Sequence, residues 1–279
     1  MEEQAPIMSL DDPEKPEFAS YNSYTNFARQ VRHRSRFVWD EQISQFLATV
    51  KATIYERDVL LKEGMCLFRA SLGVEWRPVY DEEGNELFDE EVGYGAKRMR
   101  PRTNQATEGR ANPAGLPVLY LATTEQTAIS EVRPWIGTAV SVAQFQVRRD
   151  IKALDLSKGH GKSNFIGFNF ILGDEVPTAE VKERAVWVDI DNAFSRPVTR
   201  SEDGGDYAPT QILAELFRST GYEAIVYKSQ FGEKGFNIVL FDIDDALPIN
   251  CAPYEVTEIN VGFKESGNRW YASKPPKSE

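Results

Sequence analysis

The sequence predicts an α+β fold, a mixed β core with peripheral helices. Two observations carry this. Strand-like runs outnumber helical ones, and they come in clusters instead of alternating strictly with helices. A third excludes the main competitor, since no G-x-G-x-x-G follows a strand as a doubly wound dinucleotide fold requires.

Taken in order, residues 1–25 read as a flexible leader of charge, proline and small polar groups. Residues 26–63 form an N-terminal helical extension. Within it, Ile43, Phe46, Leu47, Val50 and Ile54 recur at three- and four-residue steps and predict a helix from Asp40 to Leu61, closed by Gly64. Met65–Phe68 is expected as a short strand. Ser71–Pro117 is rich in Gly, Pro, Asn and charge without periodicity, and reads as a long loop with a job or with disorder. Val118–Leu121 is a β-type run. Thr123 with Gln126 offers a capping box for a helix that Pro134 must stop. Ala139–Val147 resumes strand character. Pro209 suits the first turn of a helix carrying Ile212, Leu213, Leu216 and Phe217, with Gly221 placed to close it. Glu223–Tyr227 and Asn237–Phe241 read as strands. Residues 64–250 are expected to be the catalytic domain and 251–279 a C-terminal tail, loose beyond Trp270.

Composition narrows the function. The 279 residues carry 43 acidic and 32 basic side chains, a net charge of −11, which disfavours a nucleic-acid partner. A basic stretch at Lys97, Arg98, Arg100, Arg102 and Arg110 suits a small anionic ligand or a solvated loop. No apolar run is long enough for a membrane span, and the acidic start lacks the features of a secretion signal, so a cytoplasmic location is expected. Cys66, Cys251, His33 and His160 lack zinc-site spacing, so no metal is expected, and Cys66 in its apolar MCLF context reads as a small core residue. Chemistry must then rest on carboxylates, guanidinium groups, hydroxyls and aromatic rings. Gly159-His160-Gly161-Lys162-Ser163 imitates the end of a phosphate-cradling loop, but Leu156 stands where that loop needs a glycine.

Three segments carry more information. They are Leu67-Phe68-Arg69-Ala70, the run EGRANPAGLPVLYLATTEQTAISEVRPW from Glu108 to Trp135, and GYEAIVYKS from Gly221 to Ser229. In this order, with DYAPTQILAELF before the third and GFNIVLF after it, they resemble the RES domain family over roughly Gly64 to Phe241. The resemblance implies a fold related to ADP-ribosyltransferases and activity on NAD⁺ as substrate, with known members acting as toxins. It implies that the family's arginine is Arg69 or Arg110, its glutamate Glu131 and its serine Ser229, and that Tyr120 lines a nicotinamide pocket. A cognate antitoxin is an implied partner. A homo-oligomer is a further possibility for the N-terminal extension, as are a cap and an autoinhibitory element.

These residue types suit the chemistry. Cleaving a nicotinamide–ribose bond develops positive charge on the sugar, which a fixed carboxylate such as Glu131 stabilises. Arginine is shaped for bidentate phosphate contact, so Arg69 and Arg110 suit a pyrophosphate. Ser229 is expected to bond an amide or ribose hydroxyl, and not to act as a nucleophile. Asn237 is expected to hold the Ser229 loop and to belong with Arg69, Arg110, Tyr120 and Ser229 to the NAD-binding set. The reaction expected is glycohydrolysis or phosphorolysis of NAD⁺. The alternatives are transfer of ADP-ribose to a protein and a non-catalytic NAD-binding module.

Overall fold

A computed structural model describes residues 16–103, 105–158, 177–196, 204–231, 235–263 and 265–267. The Gly159–Ser163 motif, with His160, lies outside the described residues, as do most of the leader and the end of the tail.

The chain opens with helices α1 (Ser23–His33) and α2 (Glu41–Thr53) and a 3-10 turn, Ile54–Arg57. Strands β1 (Asp58–Leu61) and β2 (Cys66–Leu72) precede a hairpin of β3 (Glu75–Tyr80) and β4 (Glu86–Val92). A single turn of helix, α3 (Ala96–Met99), leads to β5 (Leu119–Ala122), α4 (Glu125–Glu131), β6 (Ala139–Val147) and β7 (Ile151–Asp155). After α5 (Ala179–Ser195) and α6 (Ala208–Ser219) come β8 (Ala224–Lys228), β9 (Phe236–Leu240) and β10 (Ala246–Glu255).

The main sheet has eight strands in the order β1-β7-β8-β9-β5-β2-β6-β10. The β7–β8 pair is parallel and every other pairing is antiparallel. A parallel neighbour needs a long crossover, and the chain between β7 and β8 contains α5 and α6. Phe27, Phe46, Val50, Trp187, Phe194 and Phe217 from the helices join Ile225, Tyr227 and Val239 of the sheet in one buried cluster. The alternate residues Ala224, Ile238 and Leu240 join Leu67, Phe145 and Ile151 in a second. The period of two along β8 and β9 thus serves two buried faces. The α+β expectation describes this layout.

Several boundaries differ from the sequence reading. The helix expected over Asp40–Leu61 is capped by Asp40, whose carboxylate accepts the Ile43 N–H at 2.9 Å, but it ends at Thr53. Asp58–Leu61 is instead a strand paired with β7, which it shields from being an open edge. The strand expected over Met65–Phe68 runs on as far as Leu72, so Arg69 lies inside it and not beyond its end. The long loop holds the β3–β4 hairpin, which is exposed along most of both strands and so leaves no alternation to read. Its turn is made by Asp81, which accepts the N–H groups of Glu83 (2.9 Å) and Asn85 (2.8 Å), and by Gly84 at φ +87°. The α4 cap is Thr124, not Thr123; its hydroxyl accepts the Thr127 N–H at 3.1 Å, while Thr123 Oγ1 accepts that of Phe236. Cys66 is exposed, because alternation along β2 turns Leu67 inward and Cys66 out. Helix α1 falls largely within the expected 26–63 helical extension, whereas helix α5 and strand β10 were not anticipated. β1 and β10 join the one sheet from either side of the expected 64–250 span.

Among the described residues no helix is long and apolar enough to cross a membrane.

Candidate active site

The sheet is weakest between β5 and β2, which pair at one position only, Phe68 with Ala122. Beyond it the strands part, since Arg69 and the residues after it follow β6 alone. A cleft of about 300 Å³ opens at this split, lined by Arg69 of β2, Tyr120 of β5, Glu131 of α4, Asn237 of β9 and Arg110 of the preceding loop. Four of the sequence-predicted residues come from different elements and meet here with Arg110.

Glu131 is the last residue of α4, where a carboxylate opposes the helix dipole and needs compensating donors. It has two. Ser229 Oγ donates to Glu131 Oε1 at 2.9 Å, and Asn237 Nδ2 donates to the same oxygen at 2.6 Å. α4 is in turn packed down through Ala128, with Ile129 and Val132, onto Ala70, Ala122 and Val142. Its Thr127 presses against the Ser229 loop so closely that a Cβ at Gly235 would lie 1.8 Å from Thr127 Oγ1. Arg133, with φ of 50°, then turns the chain out of the helix ahead of Pro134.

Ser229 is 3% exposed and lies behind the acid, outside the cleft lining. Its hydroxyl also accepts the Phe231 N–H at 3.1 Å. With no ligand present the Ser229 hydroxyl is engaged by Glu131, where the sequence reading expected it to bond an amide or ribose hydroxyl of the ligand. Asn237 likewise bonds the Glu131 carboxylate, where the sequence reading had it hold the Ser229 loop, and it lines the cleft as a member of the expected NAD-binding set would.

The opposite wall is cationic. Arg69 Nη1 is buried and has no hydrogen-bond partner among the described residues. Burial depresses its pKa, yet a guanidinium stays protonated at neutral pH, so it is a cation short of an anion. Arg110 Nη1 donates to the Ala193 carbonyl at 2.6 Å, at the end of α5 where the helix dipole favours a cation.

Tyr120 places its ring in the cleft wall and its hydroxyl in the loop that carries Arg110. The hydroxyl donates to Asn112 Oδ1 and accepts the Ala111 N–H, both at 2.9 Å. Burial holds its pKa far above the ordinary phenol range, so it remains a neutral donor. Gly109 is needed beside it, because a Cβ there would come 2.5 Å from the Tyr120 oxygen. Gln211 of α6 closes the loop from outside, with Nε2 at 3.0 Å from both the Gly109 and Asn112 carbonyls.

Sequence reasoning missed Tyr207 and Tyr227 as cleft residues and Asn112 and Gln211 as loop organisers. All four lie in segments that carry the family resemblance, so position in those segments was a usable signal. Their roles depend on long-range contacts that spacing does not reveal.

Fold and site together define a mixed-sheet protein with a cleft at a split in the sheet, one clamped carboxylate and two arginines. The chain belongs to the RES domain family, whose model matches residues 90–257. Arg110, Glu131, Ser229 and Asn237 fall within the match, and Arg69 precedes it. Among solved structures, the chain is similar to one in the M. tuberculosis MbcT–MbcA toxin–antitoxin complex, at 15% identity and a TM-score of 0.38, covering 74% of this chain and 92% of that one. No curated protein matches the sequence.

Proposed function

We propose that the protein is an NAD⁺-consuming enzyme that breaks the nicotinamide–ribose bond of its substrate by hydrolysis or phosphorolysis. One observation carries this reading: an unpartnered, buried Arg69 nitrogen lines the same cleft as a carboxylate fixed by two donors. A site of that kind suits a ligand that brings anionic oxygens to one wall and develops positive charge at the other.

In this reading Arg69 and Arg110 hold the pyrophosphate, and the Tyr120 ring packs on the nicotinamide. Glu131 lies beside the ribose, where its negative charge stabilises the oxocarbenium character that grows as nicotinamide leaves with the bond's electron pair. Ser229 and Asn237 keep the acid in place, so little reorganisation is needed at the moment of reaction. Water or inorganic phosphate then attacks the anomeric carbon. Family membership supports the ADP-ribosyltransferase kinship and a toxin role in the cytoplasm, and an antitoxin protein that covers the cleft would keep the enzyme silent.

The test is nicotinamide release from NAD⁺, with and without phosphate, by the wild type, Glu131→Gln and Arg110→Ala, with circular dichroism to establish that all three are folded. Release by the wild type and its loss in Glu131→Gln is the expected result. A folded wild type that frees no nicotinamide with water, phosphate or cell protein as acceptor would defeat the proposal.

A further inference from the structure

A second basin of about 530 Å³ adjoins the cleft, with Arg110 and Tyr207 lining both. It lies between α1, α5 and α6, and its wall carries Arg29 and Arg32 of α1, Arg196 at the end of α5, and Arg110. His33 also lines it, and the acidic residues on the described wall are Asp189 and Asp206. Arg32 pairs with Asp206 at 3.4 Å, and Arg29 bonds Asn26 at 3.4 Å. Arginines therefore exceed carboxylates on this wall.

A second observation is independent of that count. Tyr24, 7% exposed, also lines the basin, and its hydroxyl has no hydrogen-bond partner among the described residues. A buried O–H left without an acceptor is costly, and a ligand oxygen would relieve it. Burial raises its pKa, so at neutral pH the group donates; Arg32, Asp189, Arg110 and Arg196 all act on it, which locates these charges around one point.

Size agrees. The main cleft, at about 300 Å³, is at the lower end for a small-molecule site, and a dinucleotide contains two nucleotides. We propose that the arginine basin binds the nucleoside-diphosphate half of the substrate. The reacting half occupies the main cleft, the pyrophosphate runs from Arg69 past Arg110 into the basin, and Arg29, Arg32 and Arg196 face its distal phosphate while Tyr24 donates to an oxygen of that phosphate. This rests on the NAD⁺ reading. It also gives α1, which lies outside the matched residues 90–257, a part in the substrate site.

Calorimetry on the intact chain tests it, with ADP and inorganic phosphate as separate probes against the wild type, Arg196→Ala and Tyr24→Phe. ADP should bind the wild type, about tenfold more weakly to Arg196→Ala and a few-fold more weakly to Tyr24→Phe. The Tyr24→Phe melting temperature should hold or rise, because an unsatisfied hydroxyl is removed; a merely structural tyrosine would not lose ADP affinity. No ADP binding at millimolar concentration, or unchanged affinity in both folded variants, overturns the proposal. So does inorganic phosphate binding as tightly as ADP with the same arginine dependence, which would make the basin an acceptor-phosphate site. ADP binding with the expected dependence, but no nicotinamide release, would keep the diphosphate site and remove the NAD⁺ reaction.

Discussion

The two walls of the cleft differ in how their polar groups are satisfied. On the α4 side the Glu131 carboxylate takes two donors, from Ser229 just past β8 at 2.9 Å and from Asn237 of β9 at 2.6 Å, and its neighbours Ser229 and Thr127 are themselves buried. On the β2 side Arg69 is half-buried, and its buried Nη1 has no hydrogen-bond partner among the described residues. Glu131 Oε1 is bonded without a ligand, whereas Arg69 Nη1 has no partner among the described residues. In the proposed reading that difference separates the wall that acts from the wall that binds. A group that stabilises a transition state works best when already oriented, whereas a group whose partner is the substrate keeps its hydrogen-bonding capacity open.

Substitutions can sharpen or break that contrast. The largest effect is expected at the acid: Glu131→Gln should lower kcat for nicotinamide release by about 10²–10³-fold, with little change in NAD⁺ affinity. A loss seen only in KM would put the acid on the binding side. Arg69→Met should do the opposite. It removes an unpaired buried cation, so thermal stability should hold or increase, while NAD⁺ affinity falls by roughly 10–100-fold as a charged hydrogen bond is lost. A destabilised Arg69→Met with unchanged affinity would make Arg69 a structural residue.

Ser229→Ala removes one of two donors to Glu131 and strands the Phe231 N–H. It should reduce kcat by about tenfold and stability by about 1–3 kcal/mol, with KM nearly unchanged. A rise in KM alone would return Ser229 to the ligand. Gly235→Ala tests the clamp from behind, since the new Cβ meets the stiff, β-branched Thr127 at 1.8 Å. It should lower the melting temperature by several degrees, and kcat along with it.

The smallest effect is expected far from the cleft, where β1 is tied to the sheet. Tyr222 donates a hydrogen bond to Asp58, and Lys152 Nζ lies 3.3 Å from the same carboxylate. The Tyr222 bond first, then Lys152, hold the Asp58 pKa below its ordinary 3.8. A depressed folded-state pKa contributes stability that is fully present above the ordinary value and lost as pH falls through the folded one. Tyr222→Phe should therefore cost at most about 1 kcal/mol near neutral pH, because Asp58 is nearly half exposed. The difference from wild type should narrow below about pH 3.8. Equal destabilisation at pH 3 and pH 7, measured by denaturant titration, would show that Asp58 ionisation plays no part.

Legibility in the sequence followed burial. Ala139–Val147 alternates and is buried along most of its length, and its limits are those expected. The helix with Pro209 in its first turn also appeared as read, with Gly221 at φ +91° just past it. The β3–β4 hairpin was missed because both of its faces meet solvent and no pattern forms. β1 was absorbed into a helix because Val59, Leu60 and Leu61 continue an apolar stripe, and its pairing with β7 is visible only in three dimensions.

Local sequence determined the parts of the site that need few partners: the Thr124–Glu131 helix that carries the acid, the glycine that lets the Arg110 loop approach Tyr120, and the order of segments that marks a RES domain. Residue type alone also made a carboxylate–arginine chemistry the natural expectation in a chain with two histidines. Only the tertiary structure decided which of these side chains meet. Ser229 and Asn237 bond Glu131 across 98 and 106 residues of sequence, and Arg69 Nη1 has no partner among the described residues where two strands part. Hydrogen bonds of that separation, and the burial that makes an unpaired group costly, arise from the packing of the whole sheet, which no local pattern encodes.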